Sequence, residues 1–139
     1  MSEGWRTFEH TGDLGLEVWA ASPERLHALA AIALSAQMIE VAAVAPTLEV
    51  ALVLAGDDPA DLFVHWLNTS LVEAEVRRAA WTRVEVRLPN PTALEGRLAG
   101  VPRDRATQVF LREIKAVSHH ALELDLTPGT CRCRMILDL

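Results

Sequence analysis

Hydrophobic positions along this chain change period several times, and each change marks an element. In LGLEVWA the residues alternate, with Leu14, Leu16 and Val18 on one face and Glu17 and Trp19 on the other, as in a half-buried strand. The shorter WRTFEH before it also reads as a strand, so the HTGD between them is expected to turn a hairpin. Ser22 and Pro23 then signal a helix start, serine as N-cap and proline at the first helical position. Leu26, Leu29, Ala30, Ala33 and Leu34 form its apolar stripe, which carries the helix to about Met38. After a VAAVAP loop or strand lead-in, LEVALVLAG returns to period 2, setting Leu48, Val50, Leu52 and Leu54 against Glu49 and Ala51. GDDPADLF repeats the helix signal, with Asp58 as cap, Pro59 next, and Asp61 where its charge meets the helix dipole favourably. Phe63, Trp66, Leu67, Ser70, Leu71 and Ala74 trace one face of this second helix, which ends near Arg78.

The rest reads as β: TRVEVRL, LEGRLAG, a long EIKAVSHHALELDL and a final CRCRMILDL, separated by PNP, GVPRD and TPG. Two helices among about seven strands, with strands bunched after the second helix, predict an α+β fold: a mixed or antiparallel sheet with two main helices packed on it. At 139 residues and 50% apolar, the chain is long enough to bury one core and short for two, so a single domain over residues 1–139 is expected. No apolar run approaches a bilayer's thickness, and MSEGWRTFEH lacks the regions of a signal peptide, which points to a cytoplasmic protein without a membrane partner. Cys131 and Cys133, two apart on a predicted strand, face the same way and are expected as reduced core thiols.

Charge narrows the functions available. The net charge of −6 would repel a nucleic-acid backbone, so direct nucleic-acid binding is not expected. Of thirteen basic residues only Lys115 is a lysine, which singles it out in an arginine-biased chain. The sequence contains no glycine-rich phosphate loop, GxSxG elbow or HExxH helix, so the readable catalytic signatures are missing. Adjacent His119 and His120 would point to opposite faces of a strand. His120 shares the parity of Leu122 and Leu124, so a hydrogen-bonded core histidine is expected there, whereas His65 lies on the polar side of its helix. Asp13, taken alone, is an ordinary turn aspartate. Asp138 lies one residue before Leu139 on a strand whose apolar residues would dock it, against the usual fraying of chain ends. If Asp13, Asp138 and the Leu139 carboxylate met, the like charges would need a cation, and oxygen-only donors favour calcium, magnesium or manganese over zinc. Whether the two ends meet is a question for the fold.

HTGDLGLEVWA followed by a capped helix, DDPADLFVHWLN, EIKAVSHH and the terminal MILDL, in this order over nearly the whole chain, resemble the archease family. The resemblance implies that Asp13, Asp138 and Leu139, matching that family's HTAD-type aspartate and its penultimate aspartate with the terminal carboxylate, are metal ligands. EIKAVSHH looks like the family's E(V/I)KA(V/I)TY segment, so Glu113 and Lys115 are functional candidates, and His10 is assigned a supporting role at the turn or toward the partner. Gly12 stands in place of the usual alanine, and Ser118 with His119 in place of Thr-Tyr. The resemblance also implies a non-enzymatic activator of an RtcB-type RNA ligase, which seals tRNA exon ends using GTP and manganese and is first guanylylated on a histidine. Two other classes stand beside it: a general protein chaperone or modulator of client proteins, and a small metal-dependent hydrolase, against which the missing base and nucleophile count.

Overall fold

The computed structural model describes residues 2–139. β1 (Gly4–His10) and β2 (Asp13–Ala20) form the expected antiparallel hairpin. Its two loop residues, Thr11 (φ 44°) and Gly12 (φ 87°), both take positive φ, the requirement of a type I′ turn whose twist matches the strands it joins. β2 pairs antiparallel with β10 (Cys131–Asp138), and β10 pairs with β8 (Ala116–Val117) and β9 (Glu123–Asp125). A second antiparallel sheet, in the order β4 (Leu48–Ala55), β6 (Ala93–Pro102), β5 (Ala79–Asn90), and a short β3 (Ile39–Glu40)–β7 (Val109–Phe110) pair complete the strands. The fold is α+β, as the alternation of periods predicts.

Both helices start on the predicted caps. α1 (Pro23–Met38) begins at Ser22, whose hydroxyl accepts from the Arg25 amide at 3.1 Å. α2 (Pro59–Arg77) begins at Asp58, whose carboxylate accepts from the Asp61 amide at 2.8 Å, while the Asp61 carboxylate accepts from the Asp57 amide at 2.9 Å. α2 ends on Arg78 in the left-handed region. The predicted stripe of α1 is buried, but so are His27, Ala28, Ala31 and Ser35. The reason is position: α1 packs against β2 and β10 of one sheet and β5 of the other, so little of its circumference meets water. Small side chains on α1 allow this close approach from two directions.

Tryptophans tie the layers together. The indole of Trp66 on α2 donates to the His27 carbonyl at 2.8 Å, and its ring fills the space where a Cβ on Gly96 of β6 would lie 2.6 Å away. Trp81 on β5 donates through its indole to the Ser70 carbonyl at 3.0 Å, and its amide donates to the Ser35 hydroxyl at 2.9 Å. Cys131 and Cys133 are buried side by side on β10, as their spacing predicts, and burial pushes the Cys133 thiol up to about 12, which leaves it protonated and inert.

One predicted strand breaks. EIKAVSHHALELDL is not continuous: β8 holds only two residues, the chain turns through 118–121, and β9 resumes at Glu123. The Ser118 hydroxyl accepts from the His120 amide at 3.2 Å and Ala121 takes positive φ, the local bonding that competes with a strand ladder. Strand parity therefore does not reach His120, which is exposed rather than a core histidine. The buried histidine is His27 on α1, whose Nδ1 lies 2.7 Å from the Pro23 carbonyl and whose ring meets Phe63 edge-on.

Candidate functional site

Strand register assembles a rank of residues at one end of the first sheet. His10 and Asp13 are the last cross-strand partners of the β1–β2 hairpin. The β2–β10 ladder ends at Leu14 opposite Leu137, and one residue further along each strand lie Asp13 and Asp138. Asp138 in turn stands opposite Ala116 on β8, and its carbonyl accepts from the Lys115 amide at 2.7 Å. His10, Asp13, Asp138 and Ala116 thus line up across four strands with a common parity, opposite to that of Leu14 and the buried Leu137. The two segments that bracket the sequence, HTGD and ILDL, are brought together by the fold.

Both carboxylates are exposed, and among the described residues neither makes an ion pair. Like charges facing each other on neighbouring strands destabilise a sheet, so the pair is a place where a cation would be welcome. Among the described residues no group of three or more His, Cys, Asp and Glu side chains is gathered for a metal. Leu139, exposed, directly follows Asp138, and a cation here would need an oxygen beyond the two aspartates. Carboxylate oxygens on an open sheet end suit a hard ion with remaining water ligands.

The strands beneath the pair are braced. Gly15, two residues from Asp13, lets the Phe8 ring lie flat on the sheet, where a Cβ would come within 2.2 Å of it. The Arg134 guanidinium stacks 3.9 Å over that ring, and the buried Glu17 carboxylate holds Arg6 at 3.3 Å and Arg134 at 3.7 Å. β8 is fixed from α2: the Asn68 amide group donates to the Val117 carbonyl and accepts from the Val117 amide, both at 2.8 Å. That two-way clamp sets the position of Lys115, whose backbone lies against Asp138 while the residue also lines a cleft beside α2. Glu113, exposed, lines the same cleft and is not part of the acidic rank. His10 flanks the pair and shares a 3.2 Å contact between its Nδ1 and the Thr11 hydroxyl. His65 is exposed on α2, its Nδ1 3.2 Å from the Ala55 carbonyl. Phe8, Glu17, Arg134 and Asn68 are support residues that periodicity does not single out. An asparagine inside a helix, where its propensity is poor, is the one available signal.

The model of the archease protein family (MTH1598/TM1083) matches residues 5–139. This chain belongs to the archease family. The archease of Methanopyrus kandleri is 30% identical over 138 residues, covering 97% of this chain and 99% of the relative. The archease of Sulfolobus acidocaldarius is 25% identical over 134 residues, covering 95% and 96%. The archease fold is also shared with two solved structures. The solution structure of Methanobacterium thermoautotrophicum protein 1598 gives a TM-score of 0.78 at 24% identity, covering 98% of this chain and 99% of the other. A Thermotoga maritima crystal structure, described as an archease and possible chaperone, gives 0.66 at 20% identity, covering 96% of each chain. No helix among the described residues is long and apolar enough to cross a membrane.

Proposed function

We propose that this archease is a non-enzymatic activator of an RtcB-type tRNA-splicing RNA ligase, promoting its guanylylation and turnover through the acidic end of the first sheet. The observation that carries the reading is the register that sets Asp13 beside Asp138 with no cationic partner among the described residues, next to the backbone of Lys115. Asp13 and Asp138, with the Leu139 carboxylate, would hold a calcium, magnesium or manganese ion, which would supply positive charge to phosphate oxygens at the ligase site. The rigid hairpin and the Asn68 clamp keep the two carboxylates in place, and His10 and Lys115 flank them on either side. GTP is used by the ligase. The net charge of −6 suits contact with a basic protein surface rather than with RNA. The work is cytoplasmic in this reading.

A guanylylation time course of purified ligase tests it. Wild-type protein is expected to accelerate nucleotide transfer to the ligase, and Asp13→Ala and Asp138→Ala to abolish the acceleration while folding normally. Full acceleration by both variants would end the proposal. A second reading, a general chaperone, draws on the description of the Thermotoga maritima relative and on the exposed Val72 and Val76 of α2. It predicts suppressed aggregation of unrelated clients, and a response confined to the ligase would dismiss it.

A further inference from the structure

On the far side of Lys115 from the acidic pair, a cleft of about 540 Å³ opens between α2 and the segment 103–115. Its floor is apolar, built from Met38, Ile39, Leu71 and Ile114, with Phe110 at one wall. Four cations line it: Arg103, Arg105, Arg112 and Lys115. Arg103 is matched by Glu75 at 3.1 Å. The other three have no carboxylate partner among the described residues. Arg105 lies 4.2 Å over the Phe110 ring and Arg112 donates to the Gln37 carbonyl, so both are held in place without being neutralised. With Glu75 taken up by Arg103, the cleft sets only Glu113 against these three cations. In a chain of net charge −6, this is a local excess of positive charge around an apolar trough.

The apolar surface also continues out of the trough. Val72 (59% exposed) and Leu111 (41%) line the cleft, Val76 (74%) lies one turn further along α2, and Val109 (54%) lies two residues before Leu111. A free phosphate compound would satisfy the cations and leave this strip wet. A peptide with acidic residues around large apolar ones would satisfy both.

We propose that this cleft is a docking groove for an acidic, amphipathic segment of a partner protein, whose apolar side chains enter the trough while its carboxylates meet Arg105, Arg112 and Lys115. The groove shares Lys115 with the acidic end, but its test needs neither metal nor ligase. A short synthetic peptide of Glu and Asp residues carrying Leu and Phe at helical spacing is titrated into the 15N-labelled protein. The expected result is saturable movement of the Val72, Leu111 and Arg112 amide signals. Affinity should fall about tenfold in Val72→Asp and in Arg105→Glu, two exposed positions where folding, checked by thermal unfolding, is retained. The same peptide with alanine at its apolar positions should bind at least about tenfold more weakly. Absence of saturable shifts at these residues would overturn the proposal, as would equal binding by both variants. So would equal or stronger shifts with inorganic triphosphate or the alanine peptide, which would make the cleft a simple anion site, or self-association of the protein through this face in place of peptide binding.

Discussion

Gly15 carries more of the local architecture than its size suggests. A methyl group there would lie 2.2 Å from the Phe8 ring, so Gly15→Ala must lift the phenyl and with it the Arg134 guanidinium stacked above. A cost of about 1–3 kcal/mol is expected, as for overpacking elsewhere, read as a lower urea midpoint at unchanged slope. His27 makes a second prediction. Its Nδ1 is engaged with the Pro23 carbonyl, its Nε2 has no partner among the described residues, and burial, the largest cause, lowers its pKa from the ordinary 6.5. The unfolded chain then takes up a proton that the folded one refuses. Stability is therefore full above pH 6.5 and is lost as pH falls below that value toward the depressed folded-state pKa. Urea unfolding at pH 7.5 and pH 5 should reveal a stability loss at the acid end, and the loss should shrink in His27→Phe. An unchanged pH dependence in that variant would refute the assignment.

Among the elements, the two helices are legible because their signals are local. Ser22 with Pro23 and Asp58 with Pro59 announce starts that need nothing from the rest of the chain. The hairpin is legible for the same reason, its two turn residues sitting between alternating strands. β8 and β9 are not. Their break depends on a Ser118 hydroxyl bonded to a nearby amide and on Asn68 reaching from α2 to Val117, and the latter is a contact across the fold. Without those bonds EIKAVSHHALELDL has the pattern of one long strand, which is why His120 reads as a core residue and is exposed. Asn68→Ala should strip two hydrogen bonds from Val117 and cost about 1–3 kcal/mol. Amide exchange at Val117 should quicken relative to β2 and β10, whereas uniform protection across all three strands would mean that the clamp is dispensable.

For the whole molecule, the acidic pair depends on register, which relates residues 13 and 138 through a ladder of seven Cα partners running from Cys131 opposite Ala20 to Leu137 opposite Leu14. Sequence supplies the two carboxylates and the resemblance implies the role proposed for them, but only pairing of the second strand with the last one brings their positions together. The brace of Phe8, Arg134 and Glu17 is likewise invisible along the chain, since its members lie on three strands. Charge is distributed to match: an acidic end at the hairpin tip, and a basic apolar cleft on the other side of Lys115. The central claim is that Asp13 and Asp138 together hold a divalent cation, and calorimetric titration of calcium or manganese into the purified protein tests it most directly. Saturable binding that is weakened at least about tenfold by Asp13→Asn and by Asp138→Asn is expected, since each carboxylate supplies a charge the ion requires. Equal binding by wild type and both variants, or no binding to any of them, would contradict the account.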